Sequence, residues 1–173
     1  MEDDFAADAS TLIYLAKTDA FAEASEVLGV IRVTSAVWEE AVRAGEAKGA
    51  PDVARIRQAL EDGHVRLVEL GDREQTQAEA LASRGRLGRG ESETLGLVAR
   101  NGVAIIDDAR ASRVAAASGI RAISTLLIPV IGRRTGRLDD SRARGLLHRL
   151  ALVIHPRAEV LLAVENRLEE EVR

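Results

Sequence analysis

The chain has 173 residues, enough for one domain with a real core, and its 46% hydrophobic and 30% charged residues mark it as folded rather than disordered. Its 0 cysteines exclude disulfides, thiolate catalysis and zinc-thiolate sites. A net charge of -4 does not advertise a nucleic-acid binder, although a basic patch can lie beside an acidic pocket, and 2% aromatic residues argue against base stacking on aromatic platforms.

The start, Met1-Glu2-Asp3-Asp4, is acidic where a signal peptide is basic, and no stretch supplies the roughly 20 apolar residues of a membrane span, so cytoplasm is the expected compartment. Phe5 to Asp8 reads as a strand, and Ala9-Ser10-Thr11 opens a helix through Leu12, Ile13, Leu15 and Ala16. A helix follows from Ala20 to Leu28, then a strand from Val30 to Val33. Thr34 and Ser35 are good caps for a helix carrying Val37, Trp38, Glu40, Ala41 and Val42. Gly49-Ala50-Pro51-Asp52 breaks that helix, and Val53, Ile56 and Leu60 restart helical period until Gly63.

His64 to Leu70 alternates like a half-buried strand, Asp72 to Arg84 reads as a helix, Gly85 to Gly90 as a loop, and helix resumes at Glu91 with Leu95, Leu97 and Val98 inward. Val103 to Ile106 is a buried strand that runs into Asp107-Asp108 and a helix with Val114, Ala115 and Ala117. Gly119 caps that helix, Arg121 to Ile123 forms a fifth strand, and Ser124-Thr125 caps a helix from Leu126 to Arg133. Two more helices, near Asp139 to Leu150 and Pro156 to Glu171, leave room for a short strand at Leu152 to His155. Val160, Leu161, Val164 and Leu168 hold helical register in the last helix, which packs on its own domain or on a partner.

This alternation implies an α/β fold: a three-layer α/β/α sandwich around a mostly parallel sheet of about five strands. Residues 1–173 are read as a single domain, with 139–173 as a helical extension. Acidic side chains recur at strand ends and helix starts: Asp8, Glu40, Glu91 and the pair Asp107-Asp108. In an α/β sheet such positions converge at the carboxyl ends of the strands. Carboxylates gathered there repel and stay ionised only beside a cation, so the pattern points to a metal site.

Each acid also has a plainer reading. Asp8 and Asp108 are good helix caps, Glu39 and Glu40 are ordinary solvated helix residues of which at most one enters a pocket, and Glu91 complements a helix dipole. Glu93, Ser10 and Thr125 read as local structure or as side chains supporting the acids from behind. Arg86, Arg89, Arg110 and Arg113 solubilise a surface or grip phosphate. His64, His148 and His155 lack ligand spacing, and the Gly85–Gly90 loop lacks the context of a nucleotide-binding loop.

Taken together, Asp8-Ala9-Ser10 with Leu12-Ile13, Val37-Trp38-Glu39-Glu40, Gly90-Glu91-Ser92-Glu93-Thr94-Leu95, and Ile105-Ile106-Asp107-Asp108 with Arg113-Val114-Ala115 resemble the PIN-domain nucleases. Ser124-Thr125-Leu126 and Thr135-Gly136-Arg137-Leu138 are similar to a later segment of a longer PIN subfamily, related to VapC-type toxins. The resemblance implies a metal-dependent endoribonuclease whose Asp8, Glu40, Glu91 and Asp108 hold Mg²⁺ or Mn²⁺, with Asp107 the competing assignment for the fourth acid. Glu91 stands where the family often has aspartate, and Asp107 where the toxins commonly place threonine. It further implies an RNA substrate, a cognate antitoxin and a homodimer. Hard oxygen ligands suit those ions, which activate water and offset charge on phosphate oxygens. A catalytically weak module that binds RNA or protein, and a non-toxin processing nuclease, are the alternatives.

Overall fold

The computed structural model describes residues 4–46 and 51–170. Met1 to Asp3 of the acidic start, the Gly49-Ala50 part of the helix break and Glu171 at the end of the last expected helix lie outside them. Five strands, β1 (Phe5–Ala7), β2 (Ile31–Thr34), β3 (Val65–Val68), β4 (Val103–Ile105) and β5 (Ala122–Ile123), form one parallel sheet in the order β3-β2-β1-β4-β5. The chain therefore builds outward from β1 on one side, then returns to place β4 on its other side. That reversal makes the junction of β1 and β4 a topological switch point, where crevices open at the carboxyl ends of the strands.

Residues alternate across the sheet and feed two cores. Ala7 and Ile105 face one core, while Ala6, Ala104 and Ile106 face the other. The first core is closed by α1 (Ala9–Thr18), α2 (Phe21–Leu28), α3 (Ser35–Glu46), α4 (Asp52–Glu61), α8 (Ile128–Arg134), α9 (Asp140–Ile154) and α10 (Ala158–Glu170), through side chains such as Leu12, Val37, Ile56, Ile128, Leu146 and Leu168. The second is closed by α5 (Asp72–Gly85), α6 (Arg89–Val98) and α7 (Ala109–Ala117), through Leu81, Leu95, Leu97, Ala111 and Ala115. These are the three layers expected, and each buried Leu or Ile contributes about 1.5–3 kcal/mol.

Two expectations change. Helix α6 begins at Arg89 rather than Glu91, because the Glu91 carboxylate reaches back to the Gly88 amide at 2.9 Å and fixes the helix start there. The segment Leu152 to His155 is not a strand. Ala143, Leu146, Leu147 and Leu150 bury one helical face, α9 runs on to Ile154, and His155 closes it in a left-handed conformation with φ 51°. Leu152 is left in solvent on the far side of that helix.

Helices α5 and α6 approach closely at Gly96, where an added Cβ would lie 2.7 Å from the Glu74 carbonyl oxygen and 2.9 Å from Ala78 Cβ. Backbone cannot yield there as a flexible side chain can. Gly96→Val is expected to cost about 1–3 kcal/mol by overpacking, measured as a lower urea midpoint. An unchanged midpoint contradicts this packing.

Candidate active site

Asp8 follows β1 and caps α1, its Oδ1 accepting from the Thr11 amide at 2.8 Å. Its own amide donates to the Ile105 carbonyl at 3.3 Å, extending the β1–β4 ladder one step past the strands. Asp107 lies two residues beyond Ile105 on the neighbouring strand. One Asp107 oxygen accepts from Ser124 Oγ at 2.5 Å and the Thr125 amide at 3.1 Å, and the other accepts from Thr125 Oγ1 at 2.5 Å. The Thr125 hydroxyl in turn meets that of Thr11 at 3.2 Å, and Thr11 donates to the Ile105 carbonyl at 3.1 Å. Thr11 and Thr125 thus stand side by side between Asp8 and Asp107, the Thr11 amide bonded to Asp8 and the Thr125 hydroxyl to Asp107.

Asp8 is 3% exposed. Burial pushes its carboxyl up from 3.8 to about 7; the Thr11 hydrogen bonds oppose the rise, and the charges of Asp107 and Glu91 add to it. Tyr14, further along α1, is half-buried, and its phenol is also raised, first by burial and then by Asp107 and Asp8. Asp8, Asp107 and Glu91 therefore share one neighbourhood at the switch point. The groups acting on Asp8 are apolar surroundings, Thr11 and two carboxylates, with no basic side chain among them.

Asp108 turns the other way. It is exposed and caps α7, one oxygen accepting from the amides of Arg110 and Ala111 at 2.8 Å each. Adjacent residues on extended backbone point to opposite sides, so one of the pair faces Asp8 and the other faces solvent. Of the pair, Asp107 is the one whose charge acts on Asp8.

Glu40 is exposed on α3 and lies against the start of α6: a Cβ added at Gly90 would be 2.8 Å from its Oε2. Glycine at this position is what lets the Glu40 carboxylate reach the positive end of α6. Glu39 instead pairs with Arg43 at 3.6 Å on the solvent side. Glu91, partly exposed in the first turn of α6, is drawn to the Gly88 amide, and Glu93 is buried with its Oε1 2.7 Å from Arg89 Nε. Among the described residues, no three Asp, Glu or His side chains stand close enough to share one ion. Asp8, Asp107, Asp108, Glu91 and Glu93 each accept from donors within the chain instead.

A family model described as DUF3368, PIN domain, matches residues 4–152, most of the chain and every acid named above. The chain belongs to the PIN-domain family. Proteins of this family are generally nucleases. No curated protein matches the chain.

In this PIN domain Arg86, Arg110 and Arg113 are exposed, Arg86 in a left-handed turn with φ 50°, while Arg89 is committed to Glu93. Ser10 is exposed on the first turn of α1, and Thr11 takes the place beside Asp8 instead. Thr11, Ser124 and Tyr14 went unrecognised as site residues in the sequence. Thr11 stands three residues after Asp8, the spacing of a cap and its amide partner, which is the one local signal for it.

The raised Asp8 carboxyl gives a signed pH dependence. Between about 3.8 and 7 the unfolded chain loses this proton while the fold keeps it, so the fold is penalised as pH rises, and the penalty is complete above about 7. Asp8→Asn removes it. The metal-free variant is expected to be more stable than the parent at pH 8 by a few kcal/mol, at about 1.4 kcal/mol per unit, with the gain vanishing near pH 4. Denaturant melts at both pH values check this, and a variant less stable at pH 8 refutes the assigned burial.

Proposed function

We propose that the protein is a divalent-metal-dependent endoribonuclease that hydrolyses RNA phosphodiester bonds. The observation that carries this reading is Asp8: a buried carboxyl with two carboxylate neighbours and no basic partner acting on it. Such a group is stabilised in ionised form by a hard cation, and the oxygen-only donor set suits Mg²⁺ or Mn²⁺. Asp8 and Asp107 are the residues assigned to hold the ion, with Glu91 and Glu40 completing its surroundings and Asp108 left as a helix cap. The ion supplies Lewis acidity toward the phosphate and compensates the charge of the pocket.

The chain's own residues do the rest. Thr11 and Thr125 orient Asp8 and Asp107, and Ser124 holds the second oxygen of Asp107. The start of α6 presents the positive end of its dipole to Glu40 and Glu91. Arg86, Arg110 and Arg113 are assigned to the RNA backbone, where guanidinium forks fit phosphate oxygens.

The role of toxin in a toxin-antitoxin pair, with a cognate antitoxin and a homodimer, rests on the sequence resemblance. Growth arrest on induced expression, relieved by the product of a neighbouring gene, tests that role. The spacing of the acids favours a second reading, since no three of them among the described residues stand ready to share one ion: a module that binds RNA without turnover. Calorimetry with Mn²⁺ separates the two, because a module of that kind takes up no ion.

Purified protein with Mn²⁺ is expected to cut at least one of a panel of structured and single-stranded RNAs. Asp8→Asn and Asp107→Asn are expected to abolish cutting with the fold intact, while Asp108→Asn, which preserves the cap, leaves the rate within a few-fold. Cutting that survives Asp8→Asn, or that Asp108→Asn alone removes, overturns the assignment.

A further inference from the structure

Helix α10 lies beyond the family match, which ends at residue 152. Its face carrying Val160, Ala163, Val164 and Arg167, at helical spacings of three and four, does not close completely on the domain. It stands off from Ser124 and Leu127 to leave a groove of about 350 Å³. Leu127, Val160, Ala163 and Val164 make its walls apolar, and Glu159 and Arg167 give it one acceptor and one cation. Val160 is 45% exposed at its rim.

One residue is common to the groove and the acidic site. Ser124 lines it, and the Ser124 hydroxyl donates to Asp107 at 2.5 Å. An RNA phosphate held at Asp107 would have Ser124, a wall of this groove, directly beside it.

We infer that this groove is the subsite for one unstacked nucleobase next to the bond to be cut. The inference deepens the ribonuclease reading and rests on it for the direction of the strand. Single-stranded RNA is read by splaying bases onto side chains and bonding their edges. The volume suits a single base with its ribose and is too small for a helix or a folded segment. The apolar walls cover the faces of the base, Glu159 accepts from an exocyclic amine, and Arg167 takes the adjoining phosphate. With only 2% aromatic residues in the chain, aliphatic walls replace the aromatic platform usual for such sites.

The test uses the full chain carrying Asp8→Asn, so that RNA is not consumed, and oligoribonucleotides bearing 4-thiouridine or 6-thioguanosine at single positions. Irradiation is expected to crosslink one position of the oligonucleotide to peptides containing 124–127 or 159–167. Adding Ala163→Trp, which fills the groove from an exposed position, is expected to remove that crosslink at an unchanged melting temperature. In the active chain the same substitution is expected to erase the base preference next to the cut while cutting continues.

Crosslinks that fall elsewhere, or that persist in the filled variant, overturn the inference. A dimer that Ala163→Trp dissociates, with no crosslink to α10, assigns the groove to a second copy and overturns it as well. Its failure is distinguishable from that of the proposed activity. Cutting without a groove crosslink sinks the subsite alone; a groove crosslink without cutting by the active chain sinks the nuclease and the placing of the base beside a cut, and leaves a base-binding groove.

Discussion

Two acids on neighbouring parallel strands constrain the rest of this molecule. Asp8 leaves β1 and Asp107 leaves β4 within two residues of the paired Ala7 and Ile105, so the sheet itself sets how far apart they stand. Like charges at such a position, one of them buried, oppose folding. The chain answers with donors: the Thr11 amide for Asp8, and Ser124 and Thr125 for Asp107. These donors offset part of the penalty, and the Asp8 carboxyl still sits near 7 rather than near 3.8.

The second layer of helices serves the same crevice from the other side. Thr94, buried on α6, donates to the Gly90 carbonyl at 2.8 Å and to the Ala7 carbonyl at 3.3 Å, tying that helix to the end of β1. Gly90 then admits Glu40 from α3, and the capping bond of Glu91 to Gly88 fixes where the helix begins. Close packing of α5 on α6 at Gly96 holds this arrangement from behind. Four segments distant in sequence thus meet at one end of the sheet through backbone contacts rather than through direct carboxylate contacts.

Much of this was legible in the sequence. Short apolar runs ending in Asp, such as Val103 to Asp107, fix both strand and switch point, and the five parallel strands follow from their alternation with helices. Four features were hidden for physical reasons. The choice between Asp107 and Asp108 depends on which of two adjacent side chains the β4 exit turns inward, and both neighbours read as caps. The roles of Thr11 and Ser124 come from contacts with Ile105 and Asp107, far away in the chain. The stretch from Leu152 to His155 reads as a strand on composition, whereas the buried face of α9 carries the helix through it. Arg89, which reads as a phosphate contact, is bound to the buried Glu93, a pairing at helical spacing that competes with that role.

The central claim is that Asp8 and Asp107 together hold a divalent ion at the junction of β1 and β4. The most direct measurement is anomalous diffraction from a crystal of the protein soaked in Mn²⁺. The account predicts a peak between the Asp8 and Asp107 carboxylates, with Glu91 or Glu40 turned toward it. A peak at Asp108, or none while Asp107 keeps both Ser124 and Thr125, contradicts it.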